Sequence, residues 1–248
     1  FASAANTDRD SYYGPGNDPL KAYGKTTDLT AMGGAQYVHT FDKCFFMPSD
    51  LTAGLEYNRD RLKDNMWGYN RHTDQTVNIY SAFLQNEWKN DRWGILIGGR
   101  LDKHNMVDNV IFSPRANLRF NPTQNINLRL SYSSGFRAPQ AFDEDMHIEN
   151  VGGTVAMIER AKDLKEEKSQ SFSVSADMYH RFGAFQTNLL IEGFYTRLTD
   201  VFVLGKPYDR GDGILVKTRS NGPGAKVMGL TLEGKVAYLS ILQIQAGL

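Results

Sequence analysis

The chain has 248 residues, with 28 basic and 28 acidic side chains and a formal net charge of zero. That balance gives no reason to expect nucleic acid or another polyanion as a partner, and the single cysteine, Cys44, excludes an internal disulfide framework and a cysteine-based zinc site. With 12 Tyr, 14 Phe and 23 Gly the composition favours strands and turns, and no run approaches the roughly 20 apolar residues of a membrane-spanning helix.

The opening "FASAANTDRD" has neither Met nor a basic-then-apolar leader, and residues 1–25 read as a polar connection. A weak alternation over 27–41 predicts the first strand. The next, 51–58, sets Leu51, Ala53, Leu55 and Tyr57 against Thr52, Gly54, Glu56 and Asn58. Weaker candidates follow at 75–88 and 93–102. Over 114–120 the faces are Ala116, Leu118 and Phe120 against Arg115, Asn117 and Arg119. Over 125–134 they are Ile126, Leu128, Leu130 and Tyr132 against Asn127, Arg129, Ser131 and Ser133. Segment 170–178 sets Phe172, Val174, Ala176 and Met178 against serines and Asp177, and candidates at 184–198, 214–220 with 226–236, and 241–248 complete the series. This makes about ten strands, many near the ~9–11 residues that cross a bilayer at a tilt.

The connections alternate in length. Short turns are expected at "DKCFFMPS", "KNDR", "NPTQN", "HRFG" and near Leu239, and long polar ones at 1–25, 59–74, 103–112, 135–167 and 200–213. In an antiparallel meander, alternate connections lie at opposite ends, so one end carries tight turns and the other elaborate loops. Outer-membrane barrels have that asymmetry. Trp88, Trp93, Phe120, Phe182 and Phe185 collect at the short-turn end, where an interfacial aromatic girdle would sit. The polar face, with Arg100, Asp102, Arg115, Arg119, Arg129, Glu192 and Glu233, then lines a lumen. A soluble β-sandwich or closed soluble barrel gives the same alternation with apolar side chains inward. Period two alone does not choose between them.

The strand at 125–134 rises from a short turn and ends at the corner "GFRAP", residues 135–139. Pro139 removes a ladder donor and biases Ala138 away from helical geometry, which stops pairing and turns the chain. The acidic run Asp143, Glu144, Asp145 follows and offers partners to Arg137. "SYSSGFRAPQAFDEDMHIE" and the later "DLKEEKS", together with "YSAFLQNEWK", "GGRLDKHN", "FSPRANLRFNP" and "NGPGAKVMGLTLEG", occur in the order found in TonB-dependent outer-membrane receptors. The chain resembles that family over nearly its whole length, particularly its Bacteroidetes-type members. The resemblance implies an all-β fold: an antiparallel up-and-down transmembrane β-barrel of about 22 strands, to which residues 1–248 would contribute a partial barrel. It also implies an N-terminal plug, a TonB-contacting segment and import of a scarce solute such as a siderophore, haem, cobalamin, peptide or glycan. The plug, the TonB contact and the final strands are expected to lie outside this sequence, since both ends look like cuts. The implied partners are outer-membrane lipid, a small solute or metal complex, and TonB through the N-terminal region; the implied location is the outer membrane of a Gram-negative bacterium.

No GxSxG, Walker A, HExxH or paired-histidine zinc spacing is present, so neither catalytic residues nor a cofactor are expected. The ligand-binding candidates are loop residues: His72, His104 and His147, each near a methionine, with Arg137, Asp143 and Asp145. Three histidines converging over a barrel mouth would suit haem or a metal complex, and in haem-uptake relatives a histidine between the Phe-Arg-Ala-Pro box and the next strand, where His147 falls, is a ligand. The Asn-Pro-x-Leu box of those relatives is here "AKDL". His39 and His180 are expected near the short-turn interface. A non-transport binding or adhesion protein using the same long loops remains an alternative reading.

Overall fold

A computed structural model describes residues 1–12, 23–67, 71–141, 149–151, 154–211, 215–239 and 241–248. The described residues form strands β1 (Ala2–Tyr12), β2 (Tyr23–Cys44), β3 (Met47–Met66), β4 (Arg71–Lys89), β5 (Trp93–His104), β6 (Ile111–Thr123), β7 (Ile126–Arg137), β8 (Glu149–Val151), β9 (Thr154–Arg160), β10 (Glu167–Phe182), β11 (Phe185–Thr199), β12 (Phe202–Leu204), β13 (Tyr208–Asp209), β14 (Leu215–Asn221), β15 (Ala225–Tyr238) and β16 (Leu242–Gly247). Eleven of them form one sheet in the order β1-β2-β3-β4-β5-β6-β7-β10-β11-β15-β16, and every pairing in it is antiparallel. It is an up-and-down meander, interrupted only where chain excursions after β7 and β11 build a second sheet, β12-β14-β9-β8, with β13 attached to β14. No described helix is long and apolar enough to cross a membrane, which says nothing about crossing by strands.

Each strand expected from alternation forms, and the register converts alternation into two faces. Ile95 lies beside Leu118, Leu118 beside Leu130, Leu130 beside Val174, Val174 beside Gly193 and Gly193 beside Leu230. One residue along, Arg119, Arg129, Ser175, Glu192 and Thr231 form the opposite row. Leu130, Val174 and Leu230 are 51%, 58% and 72% exposed, so the apolar face has no protein packed on it. The structure therefore resolves the choice left open by periodicity: the apolar face is outermost, and the loops fold toward the polar face.

The hairpin turns lie where expected. Phe45 (φ 61°) turns β2 into β3, Gly183 (φ 59°) turns β10 into β11, and Leu239 (φ 49°) follows β15. Around them Phe46 stacks on Trp88 at 5.7 Å, Trp93 on Phe120 at 4.2 Å and Phe182 on Phe185 at 5.6 Å. His39 packs edge-on to Phe41 and His180 lies beside Phe182, so both histidines belong to this aromatic belt.

Three expectations are corrected. Residues 1–25 do not form a long connection throughout, because Ala2–Tyr12 pairs in full register with β2. The connection at 59–74 is much shorter: β3 runs to Met66 and β4 starts at Arg71, giving strands of 20 and 19 residues. The reason is chemical. Neither face of this part of the hairpin is apolar, so Arg59-Asp60-Arg61-Leu62-Lys63-Asp64 carries no apolar alternation even though it is paired throughout. His72 and His104 accordingly lie in strands, not loops.

Candidate functional site

The site is assembled at the long-loop end, around the Phe-Arg-Ala-Pro corner. β7 ends at Arg137, and Ala138 and Pro139 beyond it are buried. Ala138 packs with Val107, Ile111 and Phe136, which brings the loop after β5 against the corner. Beyond Pro139 the chain crosses the polar face and is held there. Ala141 N–H donates to Gln75 Oε1 at 2.8 Å, Gln75 Nε2 returns a bond to Ala141 O at 3.4 Å, and Arg160 Nη1 donates to both Gln75 Oε1 and Pro139 O at 2.9 Å. One glutamine of β4 and one arginine of β9 thus fix the segment that follows the corner. His104 supports it from β5: its Nδ1 accepts the Met106 N–H at 3.1 Å, which leaves Nε2 as the donor to Gln140 Oε1 at 3.2 Å.

A second set of bonds ties this corner to the later motifs. The Arg137 guanidinium lies 5.5 Å above the Phe202 ring, within range of a cation–π attraction. Glu167 Oε2 accepts the Phe202 N–H at 2.8 Å. Asn221, at the start of "NGPG", donates to the carbonyls of Lys165 and Asp200 and accepts the Lys165 N–H at 2.8 Å. Burial pushes the neighbouring Glu166 carboxyl up, but a backbone N–H and the Lys168 ammonium at 3.0 Å outweigh that and hold it below its ordinary value. The three sequence motifs are therefore one hydrogen-bonded collar at the rim.

Inside the collar lies a cavity of about 630 Å³. Its walls mix four cations (Arg71, Arg160, Lys162, Arg210), one carboxylate (Glu159) and His72 with apolar groups (Met106, Met157, Ile158) and the loop residues Pro139 and Ala141. Arg210 Nη1 is 3.8 Å from Glu159 Oε1. Arg71 is aimed from β4 by a buried fork: its Nε and Nη2 donate to Asp64 Oδ2 at 2.9 and 2.8 Å, while Thr26 Oγ1 donates to Asp64 Oδ1 at 2.7 Å. Lower on the same face, Arg100 bonds Glu56 at 2.6 Å, Asp102 at 2.8 Å and Ser81 at 2.8 Å, so the polar face is a connected wall.

The expected site residues separate. His104 is 1% exposed with both ring nitrogens engaged, and acts here as a strut. His72 is exposed, bonds Asn65 at 3.0 Å and lines the cavity beside Arg71, so it is the one expected histidine among the described residues that reaches the cavity wall. His104 pairs with Ile79, an odd number of residues from His72, so the two rings occupy opposite faces of the sheet and do not converge. Arg137 is committed to the collar. His147, Asp143 and Asp145 lie outside the described residues. Among the described residues no three of His, Cys, Asp and Glu gather in a way that could hold a metal ion. Sequence reasoning missed Gln75, Arg71, Arg160 and Arg210. For Gln75, inward parity on β4 is a usable signal; the others become neighbours only through loop packing.

An all-antiparallel meander with an uncovered apolar outer face, an aromatic belt at its short-turn end and a polar inner face under long loops defines the wall of an outer-membrane-type β-barrel. More specifically, the description "TonB dependent receptor-like, beta-barrel" matches residues 1–248, and the chain belongs to that family of transport receptors. It is 23% identical over 206 residues to the probable hemoglobin and hemoglobin-haptoglobin-binding protein 3 of Haemophilus influenzae, covering 81% of this chain and 18% of that protein. Its fold is similar to the siderophore receptor PirA of Pseudomonas aeruginosa (TM-score 0.71, 16% identity, 91% of this chain, 43% of that one) and to the ferric enterobactin receptor PfeA of Pseudomonas aeruginosa (TM-score 0.71, 19% identity, 98% and 39%). The FrpB iron transporter of Neisseria meningitidis gives a TM-score of 0.68 at 15% identity, covering 99% and 39%. The chain thus spans less than half of these proteins. These comparisons show the family and not its Bacteroidetes-type branch.

Proposed function

We propose that this chain forms part of the wall and rim of a receptor that imports an anionic iron complex across the outer membrane of a Gram-negative bacterium, driven through TonB. The carrying observation is the collared cavity, where cations on β4, β9 and the loops stand beside methionines and isoleucine. A metal complex with a charged coordination sphere and a greasy periphery needs both kinds of wall. The names of the similar proteins, which include siderophore and hemoglobin-binding receptors, support an iron complex as the solute class. The remainder of a closed barrel, a plug and the TonB contact belong to a complete receptor and not to the residues described here.

The test uses the full-length receptor in vesicles and intact cells. Binding of ferric catecholate, ferric hydroxamate and haem is followed by fluorescence quenching, and uptake by labelled iron. Tight binding of one anionic complex, weakened at least tenfold by Arg160→Gln with barrel folding intact, supports the proposal. Equal affinity of neutral and anionic complexes, or indifference to Arg160→Gln and Arg210→Gln, refutes it. His147 stays a proposed haem contact, tested by loss of the haem absorbance shift in His147→Ala.

A further inference from the structure

A separate set of cations stands outside both cavity and lumen. Past Tyr57, β3 continues as Asn58-Arg59-Asp60-Arg61-Leu62-Lys63-Asp64, and pairing with β2 and β4 is unbroken through it. Alternation sends Asp60, Leu62 and Asp64 inward and Arg59, Arg61 and Lys63 outward. Burial follows that parity: the three cations are exposed, and the three alternates are partly or wholly buried.

The surroundings of these cations are fixed by register. Arg59 stands between Ala31 and Asn78, and Arg61 between Leu29 and Thr76. The carboxylates on this face lie one pair further up, level with Lys63: Asp74 is 3.6 Å from Lys63, and Asp8 accepts from Thr27 and Asn6. Directly below Arg59, Tyr57 and Tyr80 pack with ring centroids 4.9 Å apart, and Lys103 pairs with Tyr80 from β5, its ammonium donating to the carbonyls of Val107 at 3.0 Å and Asp108 at 2.7 Å while keeping its charge at this level. Below the tyrosines come Leu55, Leu84 and Leu101, all about half exposed or more. Read upward, the outer wall goes from leucines to tyrosines to Lys103, Arg59 and Arg61.

That order matches the layers of a bilayer edge. Tyrosines sit at headgroup level, and from Trp88 in the lower belt to Tyr80 in the upper one is eight residues, roughly 27 Å along a strand and about 21 Å after a ~40° tilt, close to the ~25 Å apolar band of such barrels. The two arginines therefore leave the strand just outside the hydrocarbon, their backbone positions about 7 Å apart, with like charge and only neutral residues paired beside them. We infer that this outward face binds the phosphate groups of an outer-leaflet lipid, with Arg59 and Arg61 as phosphate forks, Lys103 as a third charge and the tyrosine pair against the headgroup–acyl boundary. Guanidinium suits the task because its planar fork bonds phosphate bidentately. The site is on the far side of the wall from the collared cavity, so it does not serve the solute. The inference rests on the membrane reading of the wall.

The test takes the full-length receptor, delipidated in mild detergent, and titrates it with lipid A or with enzymatically dephosphorylated lipid A, counting bound lipid by native mass spectrometry. Wild-type receptor is expected to prefer phosphorylated lipid A. At about fivefold per cation near a charged surface, R59S/R61S is expected to bind it about 30-fold more weakly, and R59K/R61K to recover part of the loss. Heat-modifiable migration confirms that each barrel is intact. Equal binding of the two lipids by wild-type receptor, or unchanged lipid A binding by R59S/R61S, overturns the inference. Loss of iron-complex uptake with lipid A binding unchanged also overturns it, by assigning the pair to solute. Failure of the wild-type receptor to float with vesicles is a different result, since it removes the membrane reading itself.

Discussion

Leu130→Arg tests the face assignment most directly. Leu130 lies four residues above Ile126, where β7 leaves its short turn, or roughly 13 Å along the strand. A tilt of about 40° leaves about 10 Å of height, near the middle of a ~25 Å apolar band. Its neighbours in register are Leu118 and Val174, and half of its surface is open. No protein packing has to be broken, so the cost is the transfer of a guanidinium into hydrocarbon, about 2–4 kcal/mol at the midplane. Ser131→Arg is the internal control. One residue along, between Asn117 and Ser173 on the polar face, it should stay within about 0.5 kcal/mol of wild type. Denaturant titration of the full-length receptor refolded into vesicles, followed by tryptophan fluorescence, measures both. Equal costs, or a larger one for Ser131→Arg, would refute the assignment of faces and with it the depth argument for Arg59 and Arg61.

Asp64→Ala should destabilise the rim by about 3–5 kcal/mol, because it removes the carboxylate oxygen that accepts both guanidinium bonds from Arg71 in a buried setting; hydrogen exchange in the upper β3–β4 hairpin would report it, and protection within about 1 kcal/mol of wild type would count against the fork. Gln75→Leu removes the acceptor shared by Ala141 and Arg160, so exchange at 138–141 should accelerate by the equivalent of about 1–3 kcal/mol while the lower sheet stays protected. Gly229→Ala puts a Cβ about 2.6 Å from the Phe194 ring on the inner face and should cost about 1–3 kcal/mol by overpacking, read as a lower heat-modification temperature. For pH, Glu166 starts from an ordinary value of 4.5 and is lowered in the fold, so its hold on the 164–168 segment is complete above that value. The hold is lost as pH falls through the lowered one; loosening of this segment at pH 6 would contradict that sign.

Much of the wall was legible in the sequence because a bilayer imposes a simple rule. In a membrane barrel Leu118, Leu130 and Val174 face outward and their neighbours Arg119, Arg129 and Ser175 face inward, and a pleated strand does both only by strict alternation. The short turns were legible from their local chemistry. The rule stops at the headgroups. β1 and the upper halves of β3 and β4 are polar on both faces, so their strands leave no apolar rhythm, although Thr26, Asp64 and Arg71 meet there. The collar was legible as motifs and not as contacts. "GFRAP" announces a corner, but nothing in one dimension says that Gln75, 66 residues away, will accept the Ala141 N–H. His104 shows the opposite failure. Residue type suggested a ligand, whereas parity, which places it inward beside Ile79 and the corner, makes it a strut.

The alternation that specifies the wall also divides labour above it. On β3, Asp64 faces inward and aims Arg71 at the cavity, while Arg59 and Arg61 on the same strand face the membrane edge. A solute contact and a lipid contact are thus separated by the thickness of one strand and by single-residue parity. Inserting one residue between Tyr57 and Arg59 would exchange the two sets, burying guanidiniums in the lumen and turning Asp64 outward toward the headgroups. Both proposed contacts should then fail together, even with the lower sheet intact. Arg59→Ser with Arg61→Ser should weaken only the lipid, and Arg160→Gln only the solute. That pattern of joint and separate loss follows from strand parity. It would not arise if the cations on the two faces formed one diffuse basic surface.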